Sequence, residues 1–307
     1  MELTRREALR SVASKCVPVV TAALAVPAAE AAEIRLEPAA PIGMLYDATL
    51  CIGCKACVVA CAEANDLQPD VRLDGLHQAP EDLNNFTKNI IKLYKPQEHS
   101  LDSFVKQQCM HCLDPACVAA CPFDALWKND ENGVVAWEPS KCIGCRYCEI
   151  ACPYHVPKFE WDAFNPKIVK CEFCRPRLAK GFEPACTSVC PTHAVIFGPR
   201  EKLLTEAKQR IDATPHKYFE DRVYGEHDAG GTQVLYLSHV SFEEIGLPNL
   251  GTQPIPARLK WQKRIYKFLA LPLFLYALLT SVMKKNWIDH QKELLEEEKQ
   301  TGLRPQL

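Results

Sequence analysis

The chain has 307 residues, with 36 lysines and arginines against 38 aspartates and glutamates and a formal net charge of −2. That near-balance gives no basic footprint for nucleic acid, and the length exceeds the size at which a fold needs disulfide staples. Seventeen cysteines are therefore the outlier to be explained.

Residues 1–31 read as an export signal and not as part of the fold. Thr4-Arg5-Arg6-Glu7-Ala8-Leu9 carries a twin-arginine pair, an apolar stretch rich in Ala and Val runs from Cys16 to Ala29, and Ala29-Glu30-Ala31 offers a small-x-small cleavage site. The plainer alternative is a basic start to an Ala-rich helix. Cys16 lies inside this segment and reads as a bystander. Oxidising compartments favour disulfides, but the twin-arginine route carries folded proteins, so thiols can be committed to another use in the reducing cytoplasm before export.

The other sixteen cysteines form four runs. The first is Cys51, Cys54, Cys57 and Cys61, spaced Cys-x2-Cys-x2-Cys-x3-Cys. The second is Cys109, Cys112, Cys117 and Cys121, with a longer second gap and Pro122 behind it. The third is Cys142, Cys145, Cys148 and Cys152, followed by Pro153, which is the bacterial ferredoxin run without change. The fourth is Cys171, Cys174, Cys186 and Cys190, followed by Pro191, with eleven residues between its second and third cysteines.

This spacing has a physical reason. Three thiolates on one tight loop reach three irons of a single cubane, while the fourth lies beyond a turn and ligates the other cluster of a pair. Two runs thus make one two-cluster unit, and sixteen ligands predict four [4Fe–4S] clusters. Gly53 and Gly144 sit inside loops where the backbone must curl closely, and N–H groups there can point at sulfur. Zinc ribbons use paired Cys-x2-Cys knuckles and have no use for a third and fourth cysteine at these offsets. A disulfide scaffold is the other rival.

Other residues near the runs carry weaker signals. His111 lies in the second loop and can replace a thiolate, but the cysteine count is complete, which makes it a bystander or an outer neighbour. His155 and His193, after Cys-Pro elements, read as surface or outer residues. Lys55 and Arg146 sit in ligand loops, where they either tune potential by charge or are simply solvated. Trp127, Trp137, Tyr147 and Phe173 read as core packing. No Walker A loop, GxGxxG after a strand, GxSxG elbow or HExxH occurs, so no catalytic residue is assigned.

The segment Ala62 to Gln108 shows no clear period and reads as an insertion, bounded at 69–104. Beyond the runs, 201–259 form an extension. Within it a helix is expected over Arg200–Ile211, a strand over Thr232–Val240 after Gly230-Gly231, and a linker over Leu247–Arg258. Phe268 to Met283 is a run without charge, flanked by Arg264 and Lys267 and by Lys284 and Lys285. It is slightly short for a membrane span, but lysines can snorkel and Tyr266 and Trp287 suit interfaces. A single anchor over 260–285 is expected, with a buried or surface helix as the alternative. The charged tail 286–307 follows.

Taken together, the residues resemble the four-cluster electron-transfer subunits of bacterial respiratory oxidoreductases, in particular the iron–sulfur subunits of membrane-bound hydrogenase-2. The strings that carry the resemblance are Gly-Met-Leu-Tyr-Asp before Cys51, Gln-Cys-Met-His-Cys at Gln108–Cys112 and Gly-Cys-Arg-Tyr-Cys at Gly144–Cys148. Ala151–Lys158, Val195–Gly198, Asn89-Ile90-Ile91 and the Gly-Gly-Thr-Gln-Val-Leu strand add to it. One departure is Ala62, where the other runs have proline after the fourth cysteine.

The resemblance implies an α+β fold of two nested bacterial-ferredoxin-like units, with 42–68 and 165–200 forming the first and 105–160 the second, plus the C-terminal membrane-spanning helix. It implies that Cys51, Cys54 and Cys57 share a cluster with Cys190, and Cys171, Cys174 and Cys186 with Cys61. Cys109, Cys112 and Cys117 would go with Cys152, and Cys142, Cys145 and Cys148 with Cys121. On spacing alone, sequential pairing remains open. The implied role is electron relay, without bond chemistry of its own, on the periplasmic side of the cytoplasmic membrane. The implied partners are hydrogenase small and large subunits and an integral membrane quinone-reactive subunit. A formate dehydrogenase, or another molybdenum or multihaem oxidoreductase, is the alternative complex.

Overall fold

Strand β1 (Ile42–Asp47) is the hub of the structure, a computed structural model that describes residues 41–67, 82–95, 102–161, 166–257 and 270–301. The expected signal over 1–31, and Cys16 with it, lies outside the described residues. Successive side chains of a strand face opposite sides, and here both sides are buried. Met44 and Tyr46 join the core that contains ligand-loop cysteines, while Leu45 joins a second core. Two strands flank β1 in one sheet, one on each side. β8 (Val195–Pro199) runs antiparallel, with Val195 opposite Tyr46, and β9 (Val234–Leu237) runs parallel, with Val234 opposite Met44.

Helix α1 (Ala56–Glu63) follows the first ligand loop. A hairpin of β2 (Asn89–Tyr94) and β3 (Ser103–Gln108) comes next, with Asn89 opposite Gln108. The second run leads into α2 (Ala116–Ala120) and the short hairpin β4 (Leu126–Lys128) with β5 (Val135–Trp137). The third leads into α3 (Tyr147–Ala151) and the pair β6 (Lys158–Phe159) with β7 (Ile168–Val169). The fourth contributes α4 (Arg175–Leu178) and α5 (Ala185–Ser188). Helices α1 and α5 pack together, as do α2 and α3.

The hairpin β2–β3 occupies the expected insertion, and buried polar residues are why no period marks it. On β3, Ser103, Lys106 and Gln108 are buried, and on β2 Asn89 is. Two tyrosines fasten β3 beneath the sheet: Tyr46 donates its hydroxyl to the Phe104 carbonyl at 2.6 Å, and Tyr236 to the Lys106 carbonyl at 2.5 Å.

The helix expected from Arg200 is α6 (Arg200–Ala213), with Leu203, Ala207 and Ile211 at four-residue spacing buried against Leu45, Leu235 and Leu237. Glu201 in its first turn and Arg210 in its last complement the helix dipole. Arg210 also pairs with the buried Asp47 at 3.2 Å, and Tyr218 donates to the same carboxylate at 3.1 Å.

Three expectations change on this frame. The strand over Thr232–Val240 is shortened to β9, because Ser238 turns away to bond locally, its hydroxyl accepting from the Val240 N–H at 3.1 Å. The linker is pinned at its start: Leu247 is buried, Tyr224 donates to the Pro248 carbonyl at 2.7 Å, and the Ala229 N–H donates to the Gly251 carbonyl at 2.8 Å. Of the expected anchor, 260–269 lie outside the described residues. Helix α7 (Ala270–Thr301) covers the rest and extends into the charged tail. Among the described residues no helix is long and apolar enough to cross a membrane, since charge returns to α7 at Lys284. Its first half nevertheless exposes Phe274, Leu275, Leu278, Leu279 and Met283.

Arg200 gives the fold its most concentrated polar link. From a buried position at the start of α6 its guanidinium donates to the carbonyls of Thr232 at 2.8 Å, Gly225 at 3.3 Å and Glu226 at 3.0 Å. Gly225 needs its φ of 94° there, since a Cβ would lie 2.3 Å from the Thr232 hydroxyl. Arg200→Met leaves buried acceptors without a donor and should destabilise the protein by about 3 kcal/mol, read as a lowered thermal unfolding midpoint.

Candidate iron–sulfur centres

Left-handed backbone shapes each ligand loop. The residue before the second cysteine has positive φ in all four runs: Gly53 at 68°, His111 at 48°, Gly144 at 71° and Phe173 at 53°. Lys55, Arg146 and Cys174 follow suit at 57°, 62° and 52°. Non-glycine residues held this way cost on the order of 1 kcal/mol each, which marks a demand of the loop. Gly53 is required twice over, because a Cβ there would also lie 2.3 Å from the Phe104 ring.

The end of each run shows what its proline does. In the second and third runs the helix stops at the fourth cysteine, and Cys121 and Cys152 are extended. Asp124, His155 and His193, each three residues past a fourth cysteine, are left-handed. With Ala62 in place of proline, α1 continues through Cys61 to Glu63. The departure thus lengthens a helix and leaves the Cys61 thiol buried on it.

None of the sixteen cysteines is in a disulfide. Their grouping crosses the runs. Cys51, Cys54, Cys57 and Cys190 line one cavity with Tyr46 and Lys106. Cys121, Cys142, Cys145 and Cys148 line another with Phe123 and Arg146. The thiols acting electrostatically on Cys61 are Cys171, Cys186 and Cys174. Those acting on Cys117 are Cys152, Cys109 and Cys112. We refer to the Cys51 set as the first quartet, the Cys61 set as the second, the Cys117 set as the third and the Cys121 set as the fourth. Only Cys54 and Cys145, in the first and fourth, are exposed. Among the described residues no three Cys, His, Asp or Glu side chains converge as a single metal ion would need.

The quartets interlock through short helices. α1 carries Cys57 of the first quartet and Cys61 of the second. α2 carries Cys117 of the third and ends at Cys121 of the fourth, and α3 carries Cys148 of the fourth and ends at Cys152 of the third. Cys171 of the second quartet feels Cys109 of the third.

Burial dominates the electrostatics. It pushes the Cys171 and Cys186 thiols up to about 11 and the Cys57 and Cys148 thiols up to about 12. Cys61, Cys112 and Cys117 rise for the same reason. Backbone N–H groups work against this. That of Gly53 favours the Cys51 thiolate, that of His111 the Cys109 thiolate, and those of Val156, Tyr154 and His155 the Cys152 thiolate. The Ala125 N–H donates to the Cys121 sulfur at 3.2 Å.

Two buried lysines, invisible in the motif pattern, complete the site. Burial lowers Lys106, but thiolates at Cys186, Cys57, Cys171 and Cys61 together hold it above the usual lysine value. The Lys170 ammonium donates to the carbonyls of Val135 at 2.5 Å and Cys171 at 3.0 Å and opposes the rise at Cys109, Cys117 and Cys152. Position beside Cys171 was the one available signal for Lys170, and nothing marked Lys106.

The remaining residues fall into place around these groups. His111 is fully buried, stacks on Phe173 with ring centroids 4.1 Å apart, and accepts the Val135 N–H on Nδ1 at 3.0 Å. Burial first, then Lys170 and Lys128, push it well below the usual histidine value. His155 and His193 are exposed. Lys55 lines the first cavity, while Arg146 lines the fourth and lies over the Trp161 ring at 3.5 Å. Phe173 is core, Trp137 packs at a core edge, Trp127 has the Arg175 guanidinium over its ring at 5.8 Å, and Tyr147 is half-buried at the start of α3.

Four thiols to a group, sulfurs facing N–H donors and buried ammonium groups beside them form a donor set that fits cubane clusters. Known proteins agree. Two family models, each described as a 4Fe-4S dicluster domain, match residues 50–125 and 102–200. The chain is 38% identical to the hydrogenase-2 operon protein HybA of Escherichia coli O157:H7, over 89% of this chain and 93% of that protein. It is 32% identical to the formate dehydrogenase-O iron-sulfur subunit of Escherichia coli strain K12, over 89% and 92%. To the formate dehydrogenase iron-sulfur subunit of Haemophilus influenzae it is 35% identical, over 69% and 68%. The chain thus belongs to the family of four-cluster, ferredoxin-type electron-transfer subunits that includes HybA and the formate dehydrogenase iron–sulfur subunits, and it carries four [4Fe–4S] clusters.

Proposed function

We propose that the protein relays electrons from a periplasmic hydrogenase, through its small subunit, to an integral membrane quinone-reactive subunit. The observation that carries this is the interlocking of the quartets. Adjoining groups share a helix or, at Cys171 and Cys109, an electrostatic contact, so the ligand sets form an unbroken series from first to fourth. When bound, each cubane takes up and returns one electron. The chain's own residues do the rest: sixteen thiolates hold, N–H donors at Gly53, His111 and Ala125 orient and stabilise sulfur charge, and burial keeps the inner positions dry.

The quartets are the four ligand sets in this proposal: Cys51, Cys54, Cys57 and Cys190; Cys61, Cys171, Cys174 and Cys186; Cys109, Cys112, Cys117 and Cys152; Cys121, Cys142, Cys145 and Cys148. They make two nested ferredoxin-like units, the outer holding the first and second and the inner the third and fourth. Export by the twin-arginine route and a C-terminal anchor complete the reading. The twin arginine at Arg5-Arg6 supports the first, and the exposed apolar start of α7 supports the second. Electron supply from a formate dehydrogenase is the second reading, favoured by the similarity to the formate dehydrogenase-O subunit over 89% of the chain.

Reduction of the anaerobically purified complex decides between them. Hydrogen should bleach the cluster absorbance while formate leaves it unchanged, and the reverse result establishes the second reading. The ligand sets are tested by Cys61→Ala. Its cluster loss should appear in the second quartet, so that Cys171, Cys174 and Cys186 become reactive to alkylation while Cys51, Cys54 and Cys57 stay protected. Protection lost at Cys51, Cys54 and Cys57 instead would return the ligands to their own runs.

The metal-free chain should also be alkali-sensitive. Burial pushes the folded Cys171 and Cys186 thiols up to about 11 against the ordinary thiol value of 9.0. The folded form therefore holds more protons across that window, and stability present below 9.0 is lost as pH rises toward about 11. Circular dichroism of metal-free protein should show its denaturant midpoint falling over this range.

A further inference from the structure

Lys106 is a lysine with 0% exposure in the middle of a polypeptide devoted to anionic ligands. Among the described residues no carboxylate pairs with it; its ammonium donates to the Gln108 side-chain carbonyl. Moving an unpaired ammonium out of water costs several kcal/mol, so such a group persists only where something else offsets the loss. The thiols that act electrostatically on it, anionic once they hold iron, come from two ligand sets at once. Cys57 belongs to the first quartet, and Cys61, Cys171 and Cys186 belong to the second. Lys106 also lines the first-quartet cavity itself.

Its position is fixed with care. The Tyr46 and Tyr236 hydroxyls hold the β3 backbone at Phe104 and at Lys106. Gln108, which receives the ammonium, is held in turn by its amide donating to the Met44 sulfur at 3.4 Å. The ammonium is therefore buried on a fastened strand, beside thiols of two quartets.

We propose that Lys106 is a shared potential-setting residue, a single fixed cation that raises the reduction potentials of the first- and second-quartet clusters together. The proposal rests on the quartet assignment given above. Reduction adds a negative charge to a cluster, and a nearby cation in a dry interior stabilises the reduced form more than the oxidised one. One cation placed between two sites lifts both and leaves the difference between them little changed. Lys170 stands in a comparable place toward Cys109, Cys117 and Cys152 of the third quartet. That makes it the natural control.

The test is an EPR-monitored redox titration of the full-length, cluster-loaded protein carrying Lys106→Met, Lys106→Gln or Lys106→Arg, with iron content measured on each sample. In both neutral variants two of the four reduction steps should move to lower potential. A tenfold change in each equilibrium is expected, which is about 59 mV for a one-electron couple, and Lys106→Arg should recover most of it. Lys170→Met should move a step that Lys106→Met leaves in place. Full iron content with unmoved steps, or an equal shift of all four, overturns the proposal. So does loss of iron from both neutral variants, which would make Lys106 a residue of cluster retention. The quartet assignment fails separately, through the alkylation pattern of Cys61→Ala.

Discussion

A short helix with a thiol at each end is the constraint from which the architecture follows. In α1, α2 and α3 one cysteine belongs to one quartet, and another, four residues on, to the next. Each of these quartets draws its other thiols from elsewhere in the chain. The pairing of α1 with α5 and of α2 with α3 is part of that arrangement. The chain leaves the first loop, passes through the second and third runs, and returns through β7 and α5 before Cys190 lines one cavity with Cys51, Cys54 and Cys57. Strand β8, two residues into the stretch that follows Pro191 and His193, then closes against β1, so the earliest and latest parts of the cluster-binding region meet in one sheet.

Holding so many thiols inside the protein has an electrostatic cost, and the structure offsets it in layers. Burial drives the thiols toward their protonated forms. Iron must displace those protons on binding. Left-handed turns at Gly53, His111 and Phe173 bring N–H groups onto the first thiol of the first, second and fourth loops. Beyond them come the two buried ammonium groups. The sheet contributes indirectly, since β1 and β9 supply the tyrosines that fasten β3 and with it Lys106. A residue with no ligand role, such as Tyr236, is thereby tied to the redox part of the molecule through a single hydroxyl.

The ligand runs were legible in the sequence because coordination chemistry demands fixed residue types at fixed offsets. The helix from Arg200 was legible too, since Leu203, Ala207 and Ile211 repeat with its period. The β2–β3 hairpin was not. A strand is recognised by apolar alternation, and β3 buries Lys106 and Gln108 on one face and Ser103 on the other, so no apolar side stands out. The feature that hid the strand is the one that serves the clusters. The partial linker at Leu247 misled for a different reason: proline and glycine report on local backbone, whereas Tyr224 and Ala229 pin that segment from a distance. Grouping of the thiols across runs is a tertiary fact, and spacing alone left it open.

Exposure is confined to Cys54 and Cys145, one in each terminal quartet, while most of the inner thiols are buried. Electron transfer rates depend on how far the surroundings must repolarise when charge arrives, and water is the medium that repolarises most. A dry middle section therefore carries a small reorganisation energy, and hops within it need little thermal activation. At the first and fourth quartets the solvent contribution is larger. In the proposed relay, a subunit that covered those two loops would act on kinetics as well as on contact, by removing water from the steps where it contributes most.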